Sequence, residues 1–476
     1  MERTLVNETI SKIGENVKLQ GWAENIRLMG KIAFIDLRDR TGNAQCVAYM
    51  PAFDAETGNP VKETTMESVI EIIGEVKARP QNQINNESET GTIEIEIKEY
   101  KLLNRAEALP IPVAGDGYDI NEESRLKYRY LDLRRNRVSK ILKLRSAFIR
   151  GIRESLYNQG FIEVETPILT ASTKEGARDF VVPSRMNPGK FYALPQSPQQ
   201  YKQLLMTAGV ENYFQFARCV RDENLRADRG FEFTQIDVET SFRTQEEVMA
   251  IMEKMVKEAI KSVNGKIREG AFEVYSYEQV VEKFGGDKFD IRTDEEKTNG
   301  VLAFAWVNKY PMFKQVDRED IAEVRDGKSG WTFTHNPFSG IIAEHREWHL
   351  KGENLDKIEA TQYDLVCNGF EIGSGSIRNH EPEMLRATYK IMGYSDEEIE
   401  ENIGHMMKAF SLGTPPHGGM ALGIDRLVML LAGEKSLKET IPFPMTYQGR
   451  TAVMDAPTEI KPEQLEDLGL KVDVRK

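Results

Sequence analysis

Cysteine is scarce: Cys46, Cys219 and Cys367 are the only three in 476 residues, they lie far apart, and none forms a C-x-x-C pair. Neither a disulfide framework nor a structural zinc site is indicated, and a reducing, cytoplasmic compartment fits. No run approaches the roughly eighteen apolar residues that span a bilayer, and the opening MERTLVNETISK has no apolar secretion core. Membrane insertion and secretion are therefore not expected. No phosphate loop of the G-x-x-x-x-G-K-[ST] type is present, so a nucleotide must be held by other means. Internal repeats and low-complexity segments are absent too. Net positive charge is lacking: the formal charge of -13 argues against adhesion to nucleic acid over the whole surface, though not against local patches. One patch stands out, because Arg125 to Arg153 holds eleven Lys or Arg and a single acid, Asp132. A solvated helix face and an anion-binding surface are both open readings of it.

With 40% hydrophobic and 9% aromatic side chains, the chain can build two or three domains. VKLQGWAE, KIAFIDLRD and AQCVAY read as strands, with the turn RTGN before the third; SVIEIIGEVKAR and TIEIEIKEYKLL add two more. Five short strands in about a hundred residues suit a small barrel of the oligonucleotide-binding (OB) kind, with other small barrels and sandwiches open. NRAEALPIPVAGDGYD is a linker by its Pro, Gly and Asp content. Apolar spacing through Ile141, Leu144, Phe148, Ile152 and Leu156 predicts a helix over 138–158. Capping boxes at Thr244/Glu247 and Ser395/Glu398 start two more helices, whose methionines are read as core. FIEVETPILT has strand character, with Pro167 at an edge or break. YFQFARCV, FEFTQIDVETSF, VLAFAWV and YDLVCNGFEI are also strand-like. Without a regular βαβ rhythm, they predict an α+β domain on a largely antiparallel sheet. The expected boundaries are 1–103 for the barrel, 104–137 for a hinge and 138–476 for the second domain.

RCVRDENLRADRGFEFTQIDVE, residues 218–239, sets ten charged side chains among Phe, Ile and Val. If 213–223 and 231–241 are strands, Arg221 and Glu223 share one face of the first, and Phe233, Gln235 and Asp237 one face of the second. Ile236 and Val238 then turn to a core, while Gly230 is free to take a strained backbone angle. Cross-strand ion pairs on a solvated sheet would explain the charges, and so would arginines holding an anionic ligand. YALPQSPQQYKQLLM puts Gln196, Ser197, Gln199 and Lys202 ahead of an apolar helical run. GFEIGSGSIRNHE places Glu371 and Arg378 around small residues, without the frame of a dinucleotide site. PPHGGMALGIDRLVMLLAGE delivers Asp425 and Arg426 at the start of an apolar helix, whose N-terminus favours phosphate.

Together these segments closely resemble the class II aminoacyl-tRNA synthetases, specifically the bacterial-type aspartyl-tRNA synthetases. FIEVETPILT is similar to motif 1, FQFARCVRDENLRADRGFEFTQIDVE to motif 2 and GMALGIDRLVML to motif 3. EGARDF, QSPQQYKQLLM, FTHNPF and GSGSIR resemble segments of the aspartyl branch. The likeness runs from GWAENIRLMGKIAFIDLRD to FPMTYQGRTAVMDAP. It implies an OB-fold β-barrel followed by an antiparallel β-sheet catalytic domain flanked by helices. The implied reaction is activation of L-aspartate by ATP with Mg²⁺, then transfer to the 3′ end of tRNA(Asp), by a cytoplasmic homodimer paired through motif 1. By resemblance, Glu175, Gln199, Lys202, Asp237, His335 and Arg378 surround aspartate. Arg378 and Lys202 meet its side-chain carboxylate, and Asp237 and Glu175 its ammonium. Arg221 bridges the α-phosphate and reacting carboxylate, Phe233 stacks on adenine, and Arg426 holds the γ-phosphate. Glu223, Gly423, Ile424 and Asp425 complete the ATP site, with Arg221, Glu223 and Arg426 as its catalytic groups. Glu371 and Asp364 are the implied Mg²⁺ ligands, and Arg27, Phe34 and Gln45 the implied anticodon contacts.

Some features depart from that family. The passage DIRTDEEKTNGVLAFAWVNKYPMF leaves no room for the large domain that bacterial forms insert between motifs 2 and 3. RGFEFTQ stands where RQPEFTQ is frequent, so Gly230 supplies no side-chain contact; FPMT replaces FPKT, and Asn336 a common histidine. An enzyme charging tRNA(Asn) as well is the main alternative. An asparaginyl enzyme is disfavoured by QSPQ with Lys202, and an amidating ligase by the barrel. An inactive RNA-binding paralogue is disfavoured by the joint presence of Arg221, Glu371, Arg378 and Arg426.

Overall fold

The computed structural model describes every residue except 56–57, 174–175, 317–328 and 474–476. The chain forms two compact units, Met1–Pro112 and Val113–Lys476. In the first, β1 (Asn16–Met29), β2 (Ile32–Arg38), β3 (Asn43–Tyr49), β4 (Val69–Ala78) and β5 (Ile93–Asn104) close a barrel in the order β1-β2-β3-β5-β4. Alternation decides its inside: Ala33, Ile35 and Leu37 are buried with Val17, Leu19, Ile72 and Ile95, while Phe34 and Asp36 face outward. Gly21 is required by closure, since a Cβ there would sit 2.3 Å from Arg38 O on the neighbouring strand.

The second unit carries β6 (Ile162–Glu163), β7 (Val181–Pro183), β8 (Phe191–Ala193), β9 (Asn212–Val220), β10 (Glu232–Ser241), β11 (Glu273–Ser276), β12 (Phe304–Asn308), β13 (Phe313–Gln315), β14 (Trp331–Phe333), β15 (Gln362–Cys367), β16 (Phe370–Ile377) and β17 (His417–Gly423). Eight of these make one sheet, ordered β11-β12-β15-β16-β17-β10-β9-β6, while β7 pairs with β8 and β13 with β14. The large sheet is antiparallel except at its edges, where β11–β12 and β6–β9 run parallel. Three helices, Asn136–Asn158, Gln245–Ser262 and Ile424–Ala432, pack Phe148, Ile152, Met252, Met255 and Leu427 against Ile236, Val238, Met420 and Leu422 of the sheet. Both capping boxes form as expected, at Thr244/Glu247 and Ser395/Glu398. YDLVCNGFEI is two strands: Asn368 and Gly369 take positive φ, 51° and 89°, in the tight turn joining β15 to β16.

Three local expectations change. The strand in FIEVETPILT is shorter than expected: Ile162 and Glu163 pair with β9, Thr170 bridges to Ala193 beyond the expected break at Pro167, and Ile168 and Leu169 are exposed. Gly230 does not use a left-handed angle, and a Cβ there would meet Glu232 O no closer than 3.4 Å. The basic stretch begins as a buried ion cluster and not as a solvated face. Arg129 and Arg135 approach Asp132 at 2.5 and 2.7 Å, and Arg125 and Arg137 grip Glu439 at 2.6 and 2.7 Å. Residues 113–137, read as part of a hinge, thus lie in the second unit and tie its start to the segment after the Ile424–Ala432 helix.

Asp132 is fully buried among cations, so Asp132→Ala should destabilise the protein by about 3–5 kcal/mol in urea unfolding, because uncompensated guanidinium groups would remain. A loss below about 1 kcal/mol would mean that the cluster behaves as a solvated surface pair.

Candidate active site

The polar face of β10 floors a cavity of about 350 Å³. Motif-like segments far apart in sequence meet there because β16, β17, β10 and β9 are consecutive in the sheet. Gln199, Lys202, Arg221, Glu223, Phe233, Asp237, His335, Glu371, Arg378, Gly423, Asp425 and Arg426 all line it. Alternation works as expected on β10: Phe233, Gln235 and Asp237 face the cavity, and Ile236 and Val238 face the core.

One end of the cavity is a buried ion cluster. Lys202 Nζ lies 2.6 Å from Asp237 Oδ1 and 3.2 Å from Glu239 Oε2. Arg378 donates from Nε and Nη2 to the two Glu239 oxygens at 2.8 and 3.0 Å, and from Nη1 to Ser376 Oγ at 2.9 Å. Glu239 was absent from the expected site, although it continues the 233-235-237 alternation by one more step. Burial alone would raise its carboxyl, but Arg378 and Lys202 outweigh burial and hold it at about 2. Asp237 is raised by burial, with Lys202 opposing, and its Oδ2 has no hydrogen-bond partner among the described residues. Burial, then Arg378, Arg221 and Lys202, push the His335 imidazole down to about 3, so it is neutral. This end suits a carboxylate between Arg378 and Lys202 and an ammonium against Asp237 Oδ2.

The other end is lined by arginines from the loop after β9 and from the Ile424–Ala432 helix. Arg221 N donates to Phe231 O at 2.8 Å, and its guanidinium lies 5.0 Å from the Phe233 ring centroid. Arg426 donates to Asp228 O and Oδ2, both at 3.1 Å, and to Glu371 O, so it joins the loop to β16. Arg229 pairs with Glu223 at 3.1 Å. Asp425 is committed to the protein: Thr234 N donates to it at 2.9 Å, and Arg145 stands 2.5 Å away. Ile424, expected at the ATP site, turns its apolar side chain into the core. Asp364, an expected metal ligand, is buried behind the wall, where it accepts from Ser374 Oγ at 2.5 Å and Gln362 Nε2 at 3.0 Å. Burial and the neighbouring Glu371 raise its carboxyl well above the ordinary range. Among the described residues no three His, Cys, Asp or Glu converge as a metal centre. Mg²⁺ commonly uses one or two carboxylates plus substrate phosphates; Glu371 lines the cavity and Asp364 neighbours it from behind the wall, so Glu371 is the carboxylate such an ion would meet first. Glu175 lies outside the described residues.

On the barrel, Arg27 and Phe34 are cross-strand partners, with the guanidinium 6.0 Å from the ring, and Arg27 donates to Gln45 at 3.3 Å. The three expected residues therefore share one outer face, and Phe34 is not a core aromatic.

Residues 121–447 match the family described as tRNA synthetases class II (D, K and N), and residues 17–103 match the OB-fold nucleic acid binding domain. An aspartate–tRNA(Asp/Asn) ligase of Geobacillus sp. (strain WCH70) is 38% identical, with 98% of this chain and 97% of the relative covered. An aspartate–tRNA ligase of Staphylococcus epidermidis is 33% identical, with 97% of each covered. The first alignment extends over 580 positions against a chain of 476 residues, so that relative carries residues with no counterpart here. Among solved structures, asparaginyl-tRNA synthetase from Pyrococcus horikoshii, complexed with asparaginyl-adenylate, gives a TM-score of 0.74 at 21% identity, covering 94% of this chain and 98% of that one. Aspartyl-tRNA synthetase from Entamoeba histolytica gives 0.70 at 20%, covering 93% and 91%. At such identities they show the fold. The chain belongs to the class II tRNA synthetases of the D, K and N group, with an OB-fold nucleic-acid-binding domain. Within that class its full-length relatives set it in the aspartate–tRNA ligase family.

Glu239 supplies a pH test. Its carboxyl is held at about 2 against an ordinary 4.5, so its stabilisation is complete above 4.5 and is lost as pH falls toward 2. Glu239→Gln should flatten the acid limb of the stability profile in that window; an unchanged acid limb would refute the assignment.

Proposed function

We propose that this enzyme activates L-aspartate with ATP to aspartyl-adenylate and pyrophosphate, then passes the aspartyl group to the 3′ end of tRNA(Asp). The observation that carries this reading is the Lys202–Asp237–Glu239–Arg378 cluster within the same cavity as Arg221, Phe233 and Arg426. Lys202 and Arg378 receive the side-chain carboxylate of aspartate; Asp237, Gln199 and Glu175 take its ammonium, and neutral His335 adds no charge. The α-carboxylate is already ionised, so its attack on the α-phosphorus needs no strong base. Catalysis consists of aligning two anions and neutralising charge on the phosphoryl oxygens. Arg221 bridges them, Phe233 stacks on adenine, and Arg426 holds the far phosphate. Glu223 steadies Arg229 of the loop, and Gly423 leaves the backbone close to the nucleotide. Asp425 acts by holding the loop and helix in register. Glu371 and Asp364 would hold Mg²⁺, which supplies charge neutralisation on the phosphates. Arg27, Phe34 and Gln45 read the anticodon by stacking and edge contacts. The enzyme works as a cytoplasmic homodimer; among the described residues no helix is long and apolar enough to cross a membrane.

Purified protein should catalyse aspartate-dependent, Mg²⁺-stimulated exchange of pyrophosphate into ATP, and its absence would end the assignment. Arg221→Ala should slow exchange about a hundredfold or more with an unchanged unfolding midpoint, since it removes transition-state charge stabilisation and no core packing. Several relatives bear names that include tRNA(Asp/Asn). Aminoacylation of separate tRNA(Asp) and tRNA(Asn) transcripts decides between the two ranges: product on tRNA(Asp) alone is expected of a discriminating enzyme, and equal product on both of a non-discriminating one.

A further inference from the structure

Beneath the cavity, the helix Gln199–Thr207 and the start of β17 meet along a row of buried polar side chains. Gln203 and His417 are fully buried, and Gln199 nearly so. His417 Nδ1 lies 2.8 Å from Pro415 O, His417 Nε2 lies 3.0 Å from Gln203 Nε2, and Gln199 Nε2 lies 3.0 Å from Gln203 Oε1.

The polarity of this row can be worked out from one end. A carbonyl oxygen only accepts, so His417 Nδ1 must carry the ring proton. Burial, supported by Arg378 and His380 and opposed by Glu239 and Pro415 O, holds the imidazole at about 4, which leaves it neutral and Nε2 an acceptor. Gln203 must therefore turn its NH₂ group to His417. Its carbonyl oxygen is then left to receive the NH₂ of Gln199. Gln199 Oε1 makes no hydrogen bond among the described residues, and Gln199 lines the cavity. Reversing any link would oppose two donors or two acceptors in a buried row, which is costly.

We propose that His417 is a positioning residue for amino-acid recognition: acting through Gln203, it turns the Gln199 amide so that its oxygen, not its NH₂, faces the substrate ammonium. This rests on the reading of the cavity as an aspartate site. Gln199 Oε1 then joins Asp237 Oδ2 as a second acceptor for the ammonium. The backbone of His417 is held separately, by Arg378 N donating to His417 O at 2.8 Å, so the ring can be changed without releasing that strand contact.

The experiment compares two variants of the full chain. His417→Asn keeps a donor near Pro415 O but has no acceptor within reach of Gln203, whereas His417→Gln can bring an amide oxygen to the place of Nε2. Equilibrium binding is measured for L-aspartate, for succinate, which is aspartate without its ammonium, and for ATP. His417→Asn should weaken L-aspartate roughly five- to tenfold, leave succinate and ATP within about twofold, and His417→Gln should recover most of the loss. Equal losses for aspartate and succinate would overturn the proposal by showing general damage to the pocket. So would a harmless His417→Asn beside a damaging His417→Gln, which would reduce His417 to an anchor on Pro415. If the unaltered chain binds no L-aspartate, the proposed function fails by itself. The same ordering is then read with the standard amino acid that does bind and its deaminated analogue.

Discussion

The Glu239 carboxylate, gripped by Nε and Nη2 of Arg378 and approached by Lys202, is the contact on which the catalytic half depends. Two buried cations could not share that space without it, because each desolvated charge needs a partner. Its location under the cavity floor allows Arg378 and Lys202 to be held rigid while still presenting charge upward. Most of the cost of ordering them falls on folding and not on substrate binding, which is how a preorganised electrostatic site works. The contact also joins β10, the residue after β16 and the helix Gln199–Thr207, from three separate parts of the chain.

The sheet order extends the same logic. Placing β17 between β16 and β10 sets the first turn of the Ile424–Ala432 helix beside the end of β10, so Asp425 can accept from Thr234 N while pairing with Arg145. Arg426 then reaches both Asp228 and Glu371. Behind these polar contacts the sheet's apolar face is closed by three helices, and the ion cluster at Asp132 ties the start of the second unit to Glu439 beyond the Ile424–Ala432 helix. The site therefore has a stiff back, and its loops need only carry side chains.

Legibility followed the range of the forces involved. Barrel strands, both capping boxes and the two faces of β10 were readable because they depend on neighbours within a few residues. The motif-like segments were readable by their likeness to a family. Motif 1 was legible as an edge strand with a break at Pro167, but not how short that strand is, since only Ile162 and Glu163 pair with β9. Adjacency to a motif does not say which way a side chain turns: Ile424 points into the core, and Asp364 sits among Ser374 and Gln362. Glu239 was missed because a carboxylate two residues beyond Asp237 looks like one more charge until Arg378, 139 residues away, arrives beside it.

The amino-acid order by itself determined which residues alternate, where helices start, which segments carry the family's motifs and that a barrel precedes an α+β domain. Only the tertiary structure decided which cations are buried and what neutralises them. Arg125, Arg129 and Arg135 look like a basic surface in sequence and are interior, while Arg27 and Phe34 lie on the outside of the barrel. The difference is physical: periodicity is set by backbone geometry along the chain, but the fate of a charge depends on desolvation and on partners that long-range packing brings within hydrogen-bonding distance.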